Sequence, residues 1–187
     1  MTKNAPSVWE PWQNEYRHGA FYLFPPADVA ATVNQLRARH DPRSAAICGA
    51  HISLSEPLMA PPSHEQLGEL RRALSYRPPF ELSYGPLTSI GPYPGVVFAI
   101  TPEDDFFALR EAVQGTSIFA GRDLPRAKRL PHMTVAEFIT LEETRELLAR
   151  LGDTVSGGRF LCDRITYAVP DDSFHFETVL EVPLGSN

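Results

Sequence analysis

Two stretches decide the fold: "AHISLSEPL" at residues 50–58 and "PHMTVAEF" at residues 131–138. Each writes a histidine, an apolar residue, a hydroxyl residue and a second apolar residue, once in each half of the chain. On a β-strand, residues two apart share a face and neighbours point opposite ways. The phrase therefore sets His51 beside Ser53 and His132 beside Thr134. Ile52, Leu54, Met133 and Val135 face the other way, into a core.

What surrounds each phrase repeats as well. "AFYLF" (20–24) predicts a strand and Val29, Val33 and Leu36 a helix from about Asp28, followed by a β-like run, "SAAICGAHISLS" (44–55). Ser63 and Gln66 form a capping box before a helix carrying Leu67, Leu70 and Leu74, and "FELSY" (80–84) is a strand. A Gly/Pro-rich turn region, "GPLTSIGPYPG", closes this half. In the second half come a strand "GVVFAI" (95–100), a helix capped by Thr101-Pro102, the strand "LPHMTVAEF" (130–138) and a helix after the capping box Thr140/Glu143. "RFLCDRITYAV" (159–169) and "FHFETVLEV" (174–182) read as two final strands joined by "PDDS". The spacing from His51 to Phe80 nearly equals that from His132 to Phe160.

The expected architecture is α+β, a single bilobal domain spanning 1–187. Two pseudo-twofold-related lobes, about 20–90 and 91–182, flank a central cleft, with room to exchange their terminal strands. Each lobe carries an antiparallel-rich sheet with helices on its outer face.

Composition sets the outer limits. A chain of 187 residues with 43% hydrophobic and 21% charged residues buries an ordinary core without a disulfide or metal staple. Cys48 and Cys162 sit in apolar runs and read as reduced core thiols. Absence of a leader-like N-terminus or a membrane-length apolar run points to a cytoplasmic protein, expected to be a monomer. A net charge of −6 disfavours long duplex nucleic acid and leaves a small phosphate-bearing ligand open.

Two imidazoles and two hydroxyls facing a cleft suit displacement at phosphorus. Histidine titrates near pH ~6.5, so one ring can take a proton from the attacking group while the other gives one to the departing oxygen. The hydroxyls of Ser53 and Thr134 are placed to donate to the non-bridging phosphate oxygens.

The paired phrases resemble the H-x-[ST]-x signatures of the 2H phosphoesterase superfamily, especially its 2'-5' RNA ligase-like and cyclic phosphodiesterase members. The likeness runs from "AFYLF" to the last strand. It implies metal-independent action, without a cofactor, on a nucleotide or RNA terminus bearing a 2',3'-cyclic phosphate. His51 and His132 would be the catalytic pair and Ser53 and Thr134 the phosphate ligands. The first phrase departs in having serine where threonine is commoner, and Gly49-Ala50 where proline often stands. The alternatives are hydrolysis or ligation of 2'-5' bonds, action on a small cyclic nucleotide, and a non-catalytic nucleotide or RNA-end binder.

Other features are weighed against these. Glu56 and Glu137 each lie five residues after a motif histidine, but odd strand spacing sends them to the opposite face, and no zinc-type spacing exists. Arg126 and Arg129 in "GRDLPRAKRLPH" are candidate substrate cations. Trp9, Trp12 and Tyr16 are read as packing an N-terminal arm onto a lobe, with base stacking the alternative. His175 is read as an exposed strand residue.

Overall fold

The structure is a computed structural model describing residues 9–185; the first residues of the N-terminal stretch, on which the reading of no leader partly rests, lie outside that range. Eight strands are formed: β1 (Ala20–Leu23), β2 (Ile52–Ser53), β3 (Phe80–Thr88), β4 (Val96–Thr101), β5 (His132–Ala136), β6 (Gly158–Cys162), β7 (Arg164–Pro170) and β8 (Phe176–Pro183). Among the described residues five α-helices accompany them, besides two short 3-10 helices (Pro11–Tyr16 and Ser117–Phe119): α1 (Ala27–His40), α2 (Pro42–Ile47), α3 (His64–Ser75), α4 (Glu103–Gln114) and α5 (Leu141–Leu151).

The strands make one antiparallel sheet in the order β6-β3-β4-β5-β2-β1-β7-β8. The two motif strands, β2 and β5, lie at its centre. Outward from them, β1 mirrors β4, β7 mirrors β3, and β8 mirrors β6. Strand β3, from the first half of the chain, thus pairs with β4 of the second, and β7 crosses back to β1. Equal spacing from the histidines equates β3 with β6, yet these two are hydrogen-bonded neighbours, and the position of β3 is answered by β7. The architecture is α+β, with two pseudo-twofold halves.

Alternation sorts the sheet's faces. Phe21, Leu23, Ile52, Met133, Val135, Phe98 and Ile100 join one core with the helical stripes Val29/Val33, Leu70/Leu74 and Phe106/Leu109/Val113. Fully burying each such side chain contributes roughly 1.5–3 kcal/mol. Ala20, Tyr22 and Ala168 form a small cluster apart from that core, with Phe24 and Phe176 packed against it.

Both predicted capping boxes are present, Ser63 with Gln66 and Thr140 with Glu143. Four local expectations are corrected. The run 44–55 is not one strand: Pro42–Ile47 is helical because the Asp41 carboxylate accepts from Ser44 N–H and Pro42 opens the turn. Strand β3 continues to Thr88 through a register shift between Tyr84 and Leu87; Gly85 supplies φ 112° there, and a Cβ at this position would clash with Gly157 Cα at 2.9 Å. Thr101 ends β4 opposite Ser83 and caps nothing; Pro102 takes the cap position, and Glu103, Asp104 and Asp105 favour the helix N-terminus instead. The run 159–169 breaks at Asp163 into β6 and β7.

Candidate active site

The site is built on the shortest strand. Ile52 stands opposite Met133, and this single pair sets the register of β2 against β5. Continued one step in either direction, this register sets His51, which lies just before β2, opposite Thr134 and Ser53 opposite His132. Such cross-strand neighbours lie about 5 Å apart and their diagonals about 7–8 Å. By this register the four polar residues stand as a square, with the histidines on one diagonal and the hydroxyl residues on the other. All four line a cavity of about 550 Å³.

The two imidazoles are held alike. His51 Nδ1 lies 2.7 Å from the Gly49 carbonyl oxygen and His132 Nδ1 lies 2.9 Å from that of Leu130, in each case two residues back. A carbonyl only accepts, so each Nδ1 carries hydrogen and donates, leaving the Nε2 lone pair of a neutral ring free for proton transfer. Tyr22 on β1 fixes the first ring edge-on at 5.1 Å. Burial is the main reason both rings resist protonation. His51 is brought down to about 4 by burial and the nearby Arg37 charge, against the hydrogen bond to Gly49. His132 is lowered by burial and by Arg129 and Arg110, opposed by its hydrogen bond to Leu130 and by the Glu137 carboxylate.

Two guanidiniums stand behind the square. Arg37 on α1 and Arg110 on α4 are buried and bind backbone carbonyls of both motif segments. The sequence reading passed over both. A signal existed: Arg37 continues the stripe Val29, Val33 at helical spacing, and Arg110 follows Phe106 by four residues, each a charge in an apolar stripe.

Other candidates divide. Arg126 lines the cavity but is engaged: Nη1 donates to Tyr16 OH at 2.6 Å, its main-chain N–H donates to Glu56, and its guanidinium pairs with Glu56 and Glu15. Arg129 is exposed at the cavity. Glu56 is buried away on Arg126, whereas Glu137 lines the cavity, contrary to the expectation of an opposite face. The cause is that β5 ends at Ala136; the main-chain N–H groups of Glu137 and Phe138 turn to the Asp41 carboxylate, and Ser44 donates to Glu137 at 2.6 Å. His175 lies in the turn before β8, exposed, its Nδ1 3.0 Å from the Ala46 carbonyl oxygen.

The N-terminal arm packs as expected: Trp9, Trp12 and Tyr16 all meet Phe174 edge-on, and Trp9 Nε1 donates to the Asp172 carbonyl. Trp12 and Tyr16 also line the cavity, and Trp12 stays 37% exposed beside Phe138, itself 36% exposed, 6.2 Å away. The thiol of Cys48, also lining it, is pushed up to about 12 by burial and is no nucleophile.

This fold and this square define a class, a two-lobed protein with a histidine and a hydroxyl contributed by each half. A profile of the 2'-5' RNA ligase superfamily matches residues 25–173, and the chain belongs to that superfamily of 2H phosphoesterases. Among solved structures, LigT of E. coli complexed with 3'-AMP is 15% identical, with a TM-score of 0.60 over 90% of this chain and 98% of that one. A crystallised phosphoesterase gives a TM-score of 0.59 at 15% identity, covering 90% and 98%. TT0787 of Thermus thermophilus gives 0.52 at 14% identity, covering 89% and 97%. At these identities the likeness speaks for the fold. No curated protein sequence matches the chain. No helix among the described residues is long and apolar enough to cross a membrane.

Proposed function

We propose that the chain is a metal-independent phosphodiesterase that opens 2',3'-cyclic phosphates of nucleotides or RNA ends. The observation that carries this reading is the diagonal pair of imidazoles, each tied through Nδ1 to a carbonyl two residues back. His51, the ring held neutral most firmly, takes the proton of the attacking water at Nε2. The new oxygen–phosphorus bond forms as the bond to the 2' or 3' oxygen breaks, and His132 Nε2 gives that oxygen its proton. His132 fits the acid role because the Glu137 carboxylate favours its charged form and a bound phosphate anion adds to that. Ser53 and Thr134 donate to the non-bridging oxygens, where negative charge builds.

The cavity exceeds what a phosphate fills. The exposed parts of Trp12 and Phe138, the latter with the Arg43 guanidinium over one face at 4.0 Å, offer a base a stacking surface, and Arg129 is placed for a further phosphate. LigT was crystallised with 3'-AMP, a nucleoside monophosphate of the kind such ring opening yields, which supports this reading of the shared fold. The superfamily's description supports a second reading, in which the same acid–base pair cleaves 2'-5' bonds, or joins them with the roles exchanged. A cytoplasmic monomer completes the proposal, in keeping with the free buried thiols Cys48 and Cys162.

The test is turnover of 2',3'-cyclic nucleotides and a cyclic-phosphate-ended oligonucleotide in EDTA, for the wild type, His51→Ala and His132→Ala. Loss of about 10²–10⁴ in rate in both folded variants is expected. An inert wild type sinks the cyclic-phosphate assignment, and if it also cleaves no 2'-5' dinucleotide, a binding protein remains. Activity that survives either substitution removes the paired-histidine mechanism.

A further inference from the structure

Arg37 and Arg110 sit at related places on α1 and α4, the helices that follow β1 and β4, and are 1% and 5% exposed. Arg37 Nη2 donates to the Cys48 carbonyl at 3.0 Å, and its Nη1 donates to the Thr134 carbonyl at 2.6 Å. Arg110 Nη1 donates to the Arg129 carbonyl at 2.6 Å, and its Nη2 donates to the Ser53 carbonyl at 3.2 Å. Cys48 lies three residues before His51, and Arg129 lies three before His132. Each guanidinium therefore ties the approach to one histidine to the hydroxyl residue of the opposite motif, and the two ties are mirror images. Each has further anchors: Ser44 Oγ at 2.8 Å for Arg37, the Leu54 carbonyl at 3.1 Å for Arg110.

We propose that Arg37 and Arg110 are a matched pair of positioning residues, which set the separation of His51 and His132 across the phosphate by cross-linking the two motif segments. The proposal rests on the phosphodiesterase reading above. Three observations carry it beyond a general role in packing. The ladder between β2 and β5 is one residue pair, Ile52 with Met133, so backbone pairing alone leaves the motifs free to splay. Neither guanidinium has a carboxylate within 4 Å among the described residues; Glu137 and Asp41 near Arg37 and Glu56 near Arg110 act only at longer range, and a buried cation without a direct ion pair is costly where Leu or Met would complete the stripe. A planar fork with donors on two separate nitrogens, moreover, spans carbonyls of two different segments in fixed geometry, whereas lysine's three donors sit on a single rotatable nitrogen. Both cations also oppose protonation of the imidazoles, Arg37 at His51 and Arg110 at His132.

The test uses the full chain and the variants Arg37→Lys and Arg110→Lys, which keep the charge and lose the fork. Inorganic phosphate is titrated while the Cε1–H signals of His51 and His132 are followed by NMR, and turnover of a 2',3'-cyclic nucleotide is measured well below the melting temperature. In the wild type one titration moves both ring signals. In each variant the phosphate affinity falls about tenfold, and kcat falls about 100-fold, the scale of a 1 Å misplacement. KM changes less than about threefold, because the aromatic surface is untouched. Folded lysine variants with wild-type phosphate affinity and kcat, whatever their melting temperature, overturn the proposal and leave the arginines as struts. A wild type inert on cyclic phosphates, whose phosphate affinity still falls in the variants, overturns the phosphodiesterase reading and supports the pair. If neither variant folds, Ser44→Ala strips one anchor of Arg37; an unchanged phosphate affinity in it overturns the proposal.

Discussion

Replacing His51 by glutamine should make the protein less sensitive to acid, and by an amount that can be worked out. The ring is held down to about 4 in the folded chain, against about 6.5 unfolded. As pH falls, the unfolded chain protonates this residue first, so the group's contribution to stability is intact above pH 6.5 and drains away down to pH 4. Linkage gives about 1.4 kcal/mol lost at pH 5.5 and about 2.6 kcal/mol at pH 4.5. The Nε2 edge of this half-buried ring faces the open cleft, so these are upper figures. Urea unfolding of wild type and His51→Gln at pH 7.5, 5.5 and 4.5 isolates the effect, because the carboxylates and other histidines titrate in both proteins. The quantity of interest is the change in the stability difference between them from pH 7.5 downward. A shift of about 1 kcal/mol in favour of the variant by pH 5.5 is expected. Parallel pH curves would refute the claim that the ring is buried neutral, and with it the reason for assigning it the base. Saturating inorganic phosphate should shrink the shift, since the anion restores the proton's welcome in the site.

The pH dependence of kcat/KM reports the free enzyme. With His51 at about 4 and His132 below its usual 6.5, its maximum belongs between those values, and an optimum above pH 7 would contradict the assignment. Glu137→Gln keeps an acceptor for Ser44 but removes the charge that favours protonated His132, so the alkaline limb should move to lower pH; an unmoved limb removes Glu137 from the acid's environment. Trp12→Ala should raise KM for a cyclic nucleotide about tenfold at nearly constant kcat, given about 1–3 kcal/mol for a stacked base, and an unchanged KM would place the base elsewhere. Arg129→Ala should raise KM for an oligonucleotide more than for a mononucleotide, whereas Arg126→Ala, which breaks contacts to Tyr16, Glu15 and Glu56, should chiefly lower the melting temperature. The reverse pattern would exchange their roles.

What the sequence made legible follows from which signals are local. The two motif strands, both capping boxes and the helical stripes were readable because periodicity and caps act within a few residues. Exchange of the terminal strands was allowed for, but not which strands take part: whether Phe80 belongs with its own half or pairs across to Cys162 is decided by a sheet order that no window of residues contains. The same limit explains the misread run at 44–47, where a short apolar stretch looks like a strand until the Asp41 cap is recognised. It explains Glu137 too, since alternation holds only while the strand lasts, and β5 stops at Ala136.

The arginines teach something different, because their signal was local and still went unread. A charge set into an apolar stripe contradicts the amphipathic pattern, and such conflicts are tolerated where function needs them. Arg37 after Val29 and Val33, and Arg110 after Phe106, are two conflicts at matching places in a chain that writes its histidine phrase twice. Duplication turns each oddity into a test of the other. A buried cation appearing once could be an accident of packing. Appearing in both halves, and reaching in each for the carbonyls that flank the histidines, it belongs with the phrase that opened the reading.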